Sequence, residues 1–314
     1  MAKRKDDRVL LLTPNQWKKA SKLIDQPIIF YGDVEEALDK MPEAPIFDLV
    51  ITSPPYDIGK PYEKKVPLED YLKTQKRIIE KILKRLKPTG SVCWQVGNYV
   101  SDNEIVPLDY LFAPIFQEAG LKLRNRIVWR FGHGLNSKRR FSGRYEVVLW
   151  YTKTDNYIFN LDDVRIPQKY PGKRHFKGAK KGQLSGNPLG KNPEDVWDIP
   201  NVKSNHVEKM DHPCQYPVGL AERLILATTN KGGLVFDPFA GVASSGVGAL
   251  LHGRNFWGCE IMKNYADQGK ERLIGTLDRV VKYRPFDKPI FNPESAPKLH
   301  NIPEEWKNNG GQAK

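Results

Sequence analysis

The chain has 314 residues, with 50 Lys and Arg against 37 Asp and Glu and a formal charge of +13. That is enough length to bury a full α/β core, and the charge balance suits a polyanionic partner. Three cysteines lie far apart (Cys93, Cys214, Cys259) with no Cys-x-x-Cys pair, which argues against a disulfide framework and structural zinc and fits a reducing compartment. No secretory segment and no apolar run of bilayer length is present, so the expectation is a soluble intracellular protein.

In chain order, a short basic arm runs from Met1 to about Asp25, with Leu10-Leu11-Leu12 and Trp17 available to pack on the main domain. Ile28-Ile29-Phe30-Tyr31 reads as a strand ending in Gly32-Asp33. The apolar run Ile46 to Ile51 reads as a buried strand and stops abruptly at Thr52-Ser53-Pro54-Pro55-Tyr56. Two consecutive prolines fix φ and remove backbone donors, so the carbonyls of Ser53 and Pro54 stay free to accept. Ser-Pro-Pro alone is an ordinary turn. Two close acceptors beside an aromatic face, however, suit the exocyclic amine of a nucleobase.

Leu68 to Leu86 carries a helical face of Ile78, Ile79, Ile82, Leu83 and Leu86, and Ser91 to Val96 reads as the next strand. From Lys122 to Arg144 there are eight basic residues and no acidic one, and Arg144 to Lys153 is again strand-like. Residues 154–210 are rich in Pro, Gly and Lys without sustained periodicity. Arg165 to Pro193 holds a second run of eight basic residues and no acidic one. Aromatic residues interleave both runs, as in loops that track phosphates. From 211 to 275 the α/β pattern returns, and the tail after Arg284 is rich in Pro and Asn.

In this last stretch, Leu234-Val235 leads into Phe236-Asp237-Pro238-Phe239-Ala240-Gly241-Val242-Ala243-Ser244-Ser245-Gly246. That is strand, small-residue turn, helix: a turn that lets a cofactor approach the backbone at a helix N-terminus. It is neither a Walker A loop nor Gly-x-Gly-x-x-Gly. Further on, Phe256-Trp257-Gly258-Cys259-Glu260 ends a strand in an acid suited to a ribose diol.

Together these two motifs resemble the S-adenosylmethionine-dependent DNA amino-methyltransferases of the permuted (beta) class, over most of residues 28–275. The Ser53 to Tyr56 elbow precedes the Asp237 to Gly241 loop with a long basic insert between them, as in that class. The resemblance implies an α/β Rossmann-like methyltransferase fold: a central, mostly parallel twisted sheet, a circularly permuted motif order and a loop-rich target-recognition insert. The implied organisation is an arm (1–27), a catalytic half (28–153), a recognition region (154–210), a cofactor-binding half (211–284) and a C-terminal extension (285–314).

It further implies Ser53, Pro54, Pro55 and Tyr56 as catalytic residues. The implied cofactor contacts are Asp33, Asp237, Pro238, Phe239, Gly241, Ser244, Ser245 and Glu260, with His212 and Gln215 from the segment His212-Pro213-Cys214-Gln215-Tyr216-Pro217. DNA contacts are expected at Arg130, Lys138, Arg139, Arg140, Lys173, Arg174, Lys177, Lys180 and Lys181, and no metal is required. The cofactor loop departs from the family at Ala243, where a second Gly is usual, and that methyl is expected to narrow the cofactor pocket. Pro213-Cys214 imitates the nucleophile of cytosine C5 enzymes, but it stands before the cofactor loop.

The reaction that the resemblance implies is transfer of a methyl group to an extruded base of double-stranded DNA. Ser at the first elbow position is the form associated with N4 of cytosine, and N6 of adenine is the alternative. A cytoplasmic location is expected with it, and either a paired restriction endonuclease or a role as a solitary modification enzyme. An RNA or protein-glutamine methyltransferase, or a non-catalytic DNA-binding module, are readings from other classes; the motif order and Ser53 count against the first of these.

Overall fold

Apolar strand segments and amphipathic stretches alternate along much of the chain, and the strands at the centre of the sheet bury both faces. The computed structural model describes residues 6–16, 20, 22–56, 66–101, 104–134 and 136–290. Its main sheet has nine strands, in the spatial order β1 (Leu10–Leu12), β2 (Ile28–Tyr31), β11 (Asn255–Glu260), β10 (Leu234–Asp237), β3 (Phe47–Thr52), β4 (Leu86–Val96), β8 (Tyr145–Thr152), β7 (Lys122–Arg130), β9 (Val196–Asp198). Neighbours run parallel except around β8, which is antiparallel to β4 and β7. A separate hairpin pairs β5 (Asn98–Ser101) with β6 (Glu104–Pro107).

Helices α1 (Val34–Lys40), α2 (Leu68–Leu83) and α3 (Leu108–Glu118) cover one face, and α4 (Val218–Thr228), α5 (Ser244–Leu251) and α6 (Lys263–Leu277) cover the other. Strand β3 shows the period-two logic: Val50 packs toward the first layer, Leu49 and Ile51 toward the second. Phe47 stacks on Phe236 at 4.4 Å between ring centroids, and burying such a ring contributes about 1.5–3 kcal/mol.

Helix α2 ends at Leu83, short of the expected Leu86. Leu86 instead opens β4, opposite Phe47. The chain is turned there by buried Arg85, whose guanidinium donates to the carbonyls of Lys81 (2.6 Å), Leu38 (2.5 Å) and Met41. The arm is also more ordered than an appendage. Leu10 to Leu12 pair in register with Ile28 to Phe30, and Arg8 forms an ion pair with Asp278 at 2.7 Å. Trp17 lies outside the described residues.

The two halves interleave. Strands β10 and β11, from late in the chain, stand between β2 and β3, from its beginning. The Asp48 carboxylate on β3 accepts the Leu234 N–H at 2.8 Å. Residues 154–195 contain only a short 3-10 turn (Leu161–Val164) and isolated bridges such as Arg174 with Leu184, in line with their missing periodicity.

Candidate active site

Because β2, β11, β10, β3 and β4 are parallel, their C-terminal ends meet at one edge of the sheet, where ligands of open α/β folds bind. A cavity of about 660 Å³ opens there, within the usual range for small-molecule sites. The elbow forms one part of its wall, with Ser53, Pro54, Pro55 and Tyr56 all lining it. Asp33, Pro238, Phe239, His212, Gln215 and Glu260 line it as well. Ten of the expected residues, drawn from well-separated segments, thus meet around one space.

The elbow is held from below. Thr52 Oγ1 donates to Asp237 Oδ1 at 2.6 Å. The second oxygen of Asp237 accepts from Tyr216 Oη at 2.9 Å and Ser245 Oγ at 2.5 Å, and Oδ1 also accepts the Phe239 N–H at 3.1 Å. Asp237 is fully buried, and burial pushes its carboxyl above the usual range while these donors pull it back. One carboxylate therefore fastens elbow, loop, helix α5 and the His-Pro segment together.

Four of the residues expected at the cofactor lie behind the lining, held by other partners. Asp237 and Ser245 satisfy each other inside the fold, and Ser244 Oγ accepts from the buried Arg272 guanidinium at 3.2 Å. Gly241, at φ 53°, donates its N–H to Glu260 Oε2 at 2.9 Å, and a Cβ there would meet the His212 ring at 3.3 Å. None of these four lines the cavity. Gln215 does, but its amide is taken up by Glu208 O (2.8 Å) and Met210 N–H (3.0 Å). Ala243 lies off the lining as well. It is buried in left-handed backbone (φ 57°, ψ 44°) away from the lining, so its methyl does not narrow the cavity.

Glu260 is a strongly perturbed acid of the wall. Its carboxylate accepts from the backbone N–H of Gly241 (2.9 Å) and Met262 (2.7 Å), yet burial pushes it up to about 7. Asp33 caps α1 by accepting the Glu36 N–H at 3.0 Å and remains exposed to the cavity.

Several lining residues escaped the sequence reading. The Gln95 amide on β4 donates to Tyr56 Oη (3.2 Å) and Glu146 Oε2 (2.5 Å), which places a carboxylate from β8 beside the elbow. Burial, followed by the Glu146 charge, drives the Tyr56 phenol well above its usual range, keeping it neutral. Glu146 was visible as the one acid in an otherwise apolar strand. Trp129, Phe131, His133 and Asn201 close the wall; His133 stands out in sequence between two glycines and Phe131 within the basic run, while no local pattern marks Trp129 or Asn201.

The basic residues divide. Arg130 is exposed and its guanidinium is paired with Asp198 across β7 and β9. Arg174 donates to the Gly182 carbonyl at 2.6 Å, bracing a hairpin-like loop. Lys138, Arg139, Arg140, Lys173, Lys177, Lys180 and Lys181 are exposed.

Comparison with known proteins decides the family. The DNA methylase family of N6 and N4 methyltransferases matches residues 47–271. This chain belongs to that DNA methylase family. The methylase is 49% identical over 251 residues to the type II methyltransferase M.BglII of Bacillus subtilis, covering 80% of this chain and 69% of that one. It is 32% identical over 251 residues to the DNA adenine methyltransferase YhdJ of Escherichia coli (strain K12), covering 78% and 82%. Among solved structures, the cytosine-N4-specific PvuII DNA methyltransferase superposes with a TM-score of 0.62 at 20% identity, covering 83% of this chain and 95% of that one.

The methylase uses S-adenosylmethionine, and its substrate is DNA. Its cavity fits that cofactor: the volume is sufficient, and Glu260 offers a buried carboxylate, raised by burial, that hydroxyl donors would relieve. Among the described residues no helix is long and apolar enough to cross a membrane.

Proposed function

We infer that the methylase acts on the N4 amine of an extruded cytosine in duplex DNA. The observation that carries this reading is Ser53 at the first elbow position, opening into the cavity at the end of a central strand. Bound S-adenosylmethionine supplies an electrophilic methyl group. Glu260 would hold its ribose, Asp33 its adenine, and the segment from His212 to Gln215 its methionine part.

The chain's own residues then prepare the amine. Tyr56 offers a ring face to the base, and the Gln95 hydrogen bond fixes that ring. The Ser53 hydroxyl and Pro54 carbonyl accept the amine hydrogens, drawing the nitrogen lone pair out of conjugation and aiming it at the methyl group. Glu146 provides the carboxylate that the elbow lacks and receives the proton the amine gives up. Positioning and fixed dipoles carry the step, without a covalent enzyme intermediate.

The recognition region is residues 154–210, and exposed cations of both basic runs neutralise phosphates. A cytoplasmic enzyme working beside a restriction endonuclease fits a chain so similar to type II methyltransferases.

The test is mass spectrometry of nucleosides from unmethylated duplex DNA incubated with the protein and S-adenosylmethionine, beside a Ser53→Ala/Tyr56→Ala control. N4-methylcytosine that disappears in the control is expected. N6-methyladenine, the product suggested by the name of the YhdJ relative, would overturn the base assignment and leave the site reading intact.

A further inference from the structure

Phe141 is 99% exposed, a whole aromatic ring in solvent within the loop that joins β7 to β8. The described parts of this loop are held in place. Phe131 N–H donates to Arg144 O at 2.9 Å, Ser137 N–H to Ser142 Oγ at 3.0 Å, and the Arg144 guanidinium to Asn136 Oδ1 at 2.6 Å. The base of the loop is also the wall of the cavity, since Phe131, His133 and Gly134 line it, and Asn201 Nδ2 ties the His133 carbonyl at 3.2 Å. Immediately before the ring stand Lys138, Arg139 and Arg140, all exposed and with no ion pair among the described residues.

A base that leaves a duplex opens a gap between its stacked neighbours, and closing that gap with an apolar side chain offsets the unstacking. The ring must come from an element beside the pocket that receives the base, and cations beside it must meet the flanking phosphates. This loop supplies all three. Phe176 is comparably exposed, at 91%, but no residue of its hairpin-like loop lines the cavity.

We propose that Phe141 is the wedge that enters the duplex as the target base leaves it, with Lys138, Arg139 and Arg140 on the adjacent phosphates. This rests on the reading that the methylase extrudes its target base. The experiment uses a duplex carrying the enzyme's own methylation site, found by sequencing DNA that it has modified. The base opposite the target is either paired or replaced by an abasic residue. Wild-type, Phe141→Ala, Phe141→Trp and Phe176→Ala proteins are compared under single-turnover conditions.

On the paired duplex Phe141→Ala is expected to slow methylation by about tenfold to a hundredfold, and the abasic partner, which removes the pairing that must be broken, to restore most of that loss. Phe141→Trp keeps near wild-type rates on both. Equal rates for Phe141→Ala and wild type, a loss of the same size on both duplexes, or selective rescue of Phe176→Ala instead would each overturn the assignment. A wild-type protein that methylates no DNA would instead defeat the reading of the site itself.

Discussion

Replacing Glu260 with glutamine is expected to abolish a pH dependence of cofactor binding whose size is set by the site. Burial raises the Glu260 carboxyl to about 7, against the pull of the Met262 and Gly241 N–H groups. Between the usual carboxylate value and that point the folded chain holds a proton that the unfolded chain releases. Stability from this group therefore falls as pH rises through the window. A ribose diol donates to the carboxylate and favours the ionised form, so binding must release the proton. Affinity then tracks the ionised fraction: about one half at pH 7, about one tenth at pH 6 and about one hundredth at pH 5.

Isothermal titration of S-adenosylmethionine between pH 5 and 8, in buffers of differing ionisation enthalpy, reads both the slope and about half a proton released at pH 7. Glu260→Gln should flatten the profile and weaken binding at pH 8 by about tenfold to a hundredfold, the loss expected for charge-assisted hydrogen bonds. A flat wild-type profile would refute the reasoning. A slope that survives in Glu260→Gln would refute the assignment to Glu260.

Ala243→Gly removes left-handed strain of about 1–2 kcal/mol and a buried methyl of about 0.8 kcal/mol, so thermal unfolding should shift upward only slightly and cofactor affinity should stay within about twofold. Gly258→Ala would bring a Cβ to 2.8 Å from both Ala240 Cβ and the Phe256 ring, and should cost about 1–3 kcal/mol in denaturant unfolding. Ser245→Ala leaves the buried Asp237 carboxylate short of a donor and should destabilise by about 1–3 kcal/mol. Changing Lys138, Arg139 and Arg140 together to Ala should reduce the slope of log affinity for DNA against log salt by about 2–3, without changing cofactor binding.

The central strands and the motif order were legible because each central strand is a short apolar run closed by a distinctive turn, and both motifs are local in sequence; the spatial order of the strands was not. The elbow, Asp33 and Glu260, which line the cavity, could be picked out for that reason. Helix α2 was read too long because Leu86 continues the helical spacing, while its actual place depends on pairing with Phe47, which no local pattern records. Ser244, Ser245 and Asp237 were placed in the right motif, but their direction depends on Tyr216, Thr52 and Arg272, all distant in sequence. Gln95 and Glu146 escaped notice because a single polar residue on a strand acquires its meaning only from the strand beside it. The pairing of Arg130 with Asp198 was equally hidden, because it depends on β9 lying beside β7.

The interleaved sheet also bears on how the chain is made. Strands β2 and β3 leave the ribosome early but are not neighbours; the space between them is filled by β10 and β11, which begin only at Leu234. Until then the nascent protein presents two unpaired apolar strand edges flanking a slot two strands wide. Exposed edges of this kind invite pairing with other chains, and the long wait for sequence-distant partners slows closure. Biosynthesis is thus where this architecture is most vulnerable. Fragments ending before residue 234 should aggregate, and adding 234–260 as a separate peptide should rescue them only if it arrives before the slot has paired with another copy.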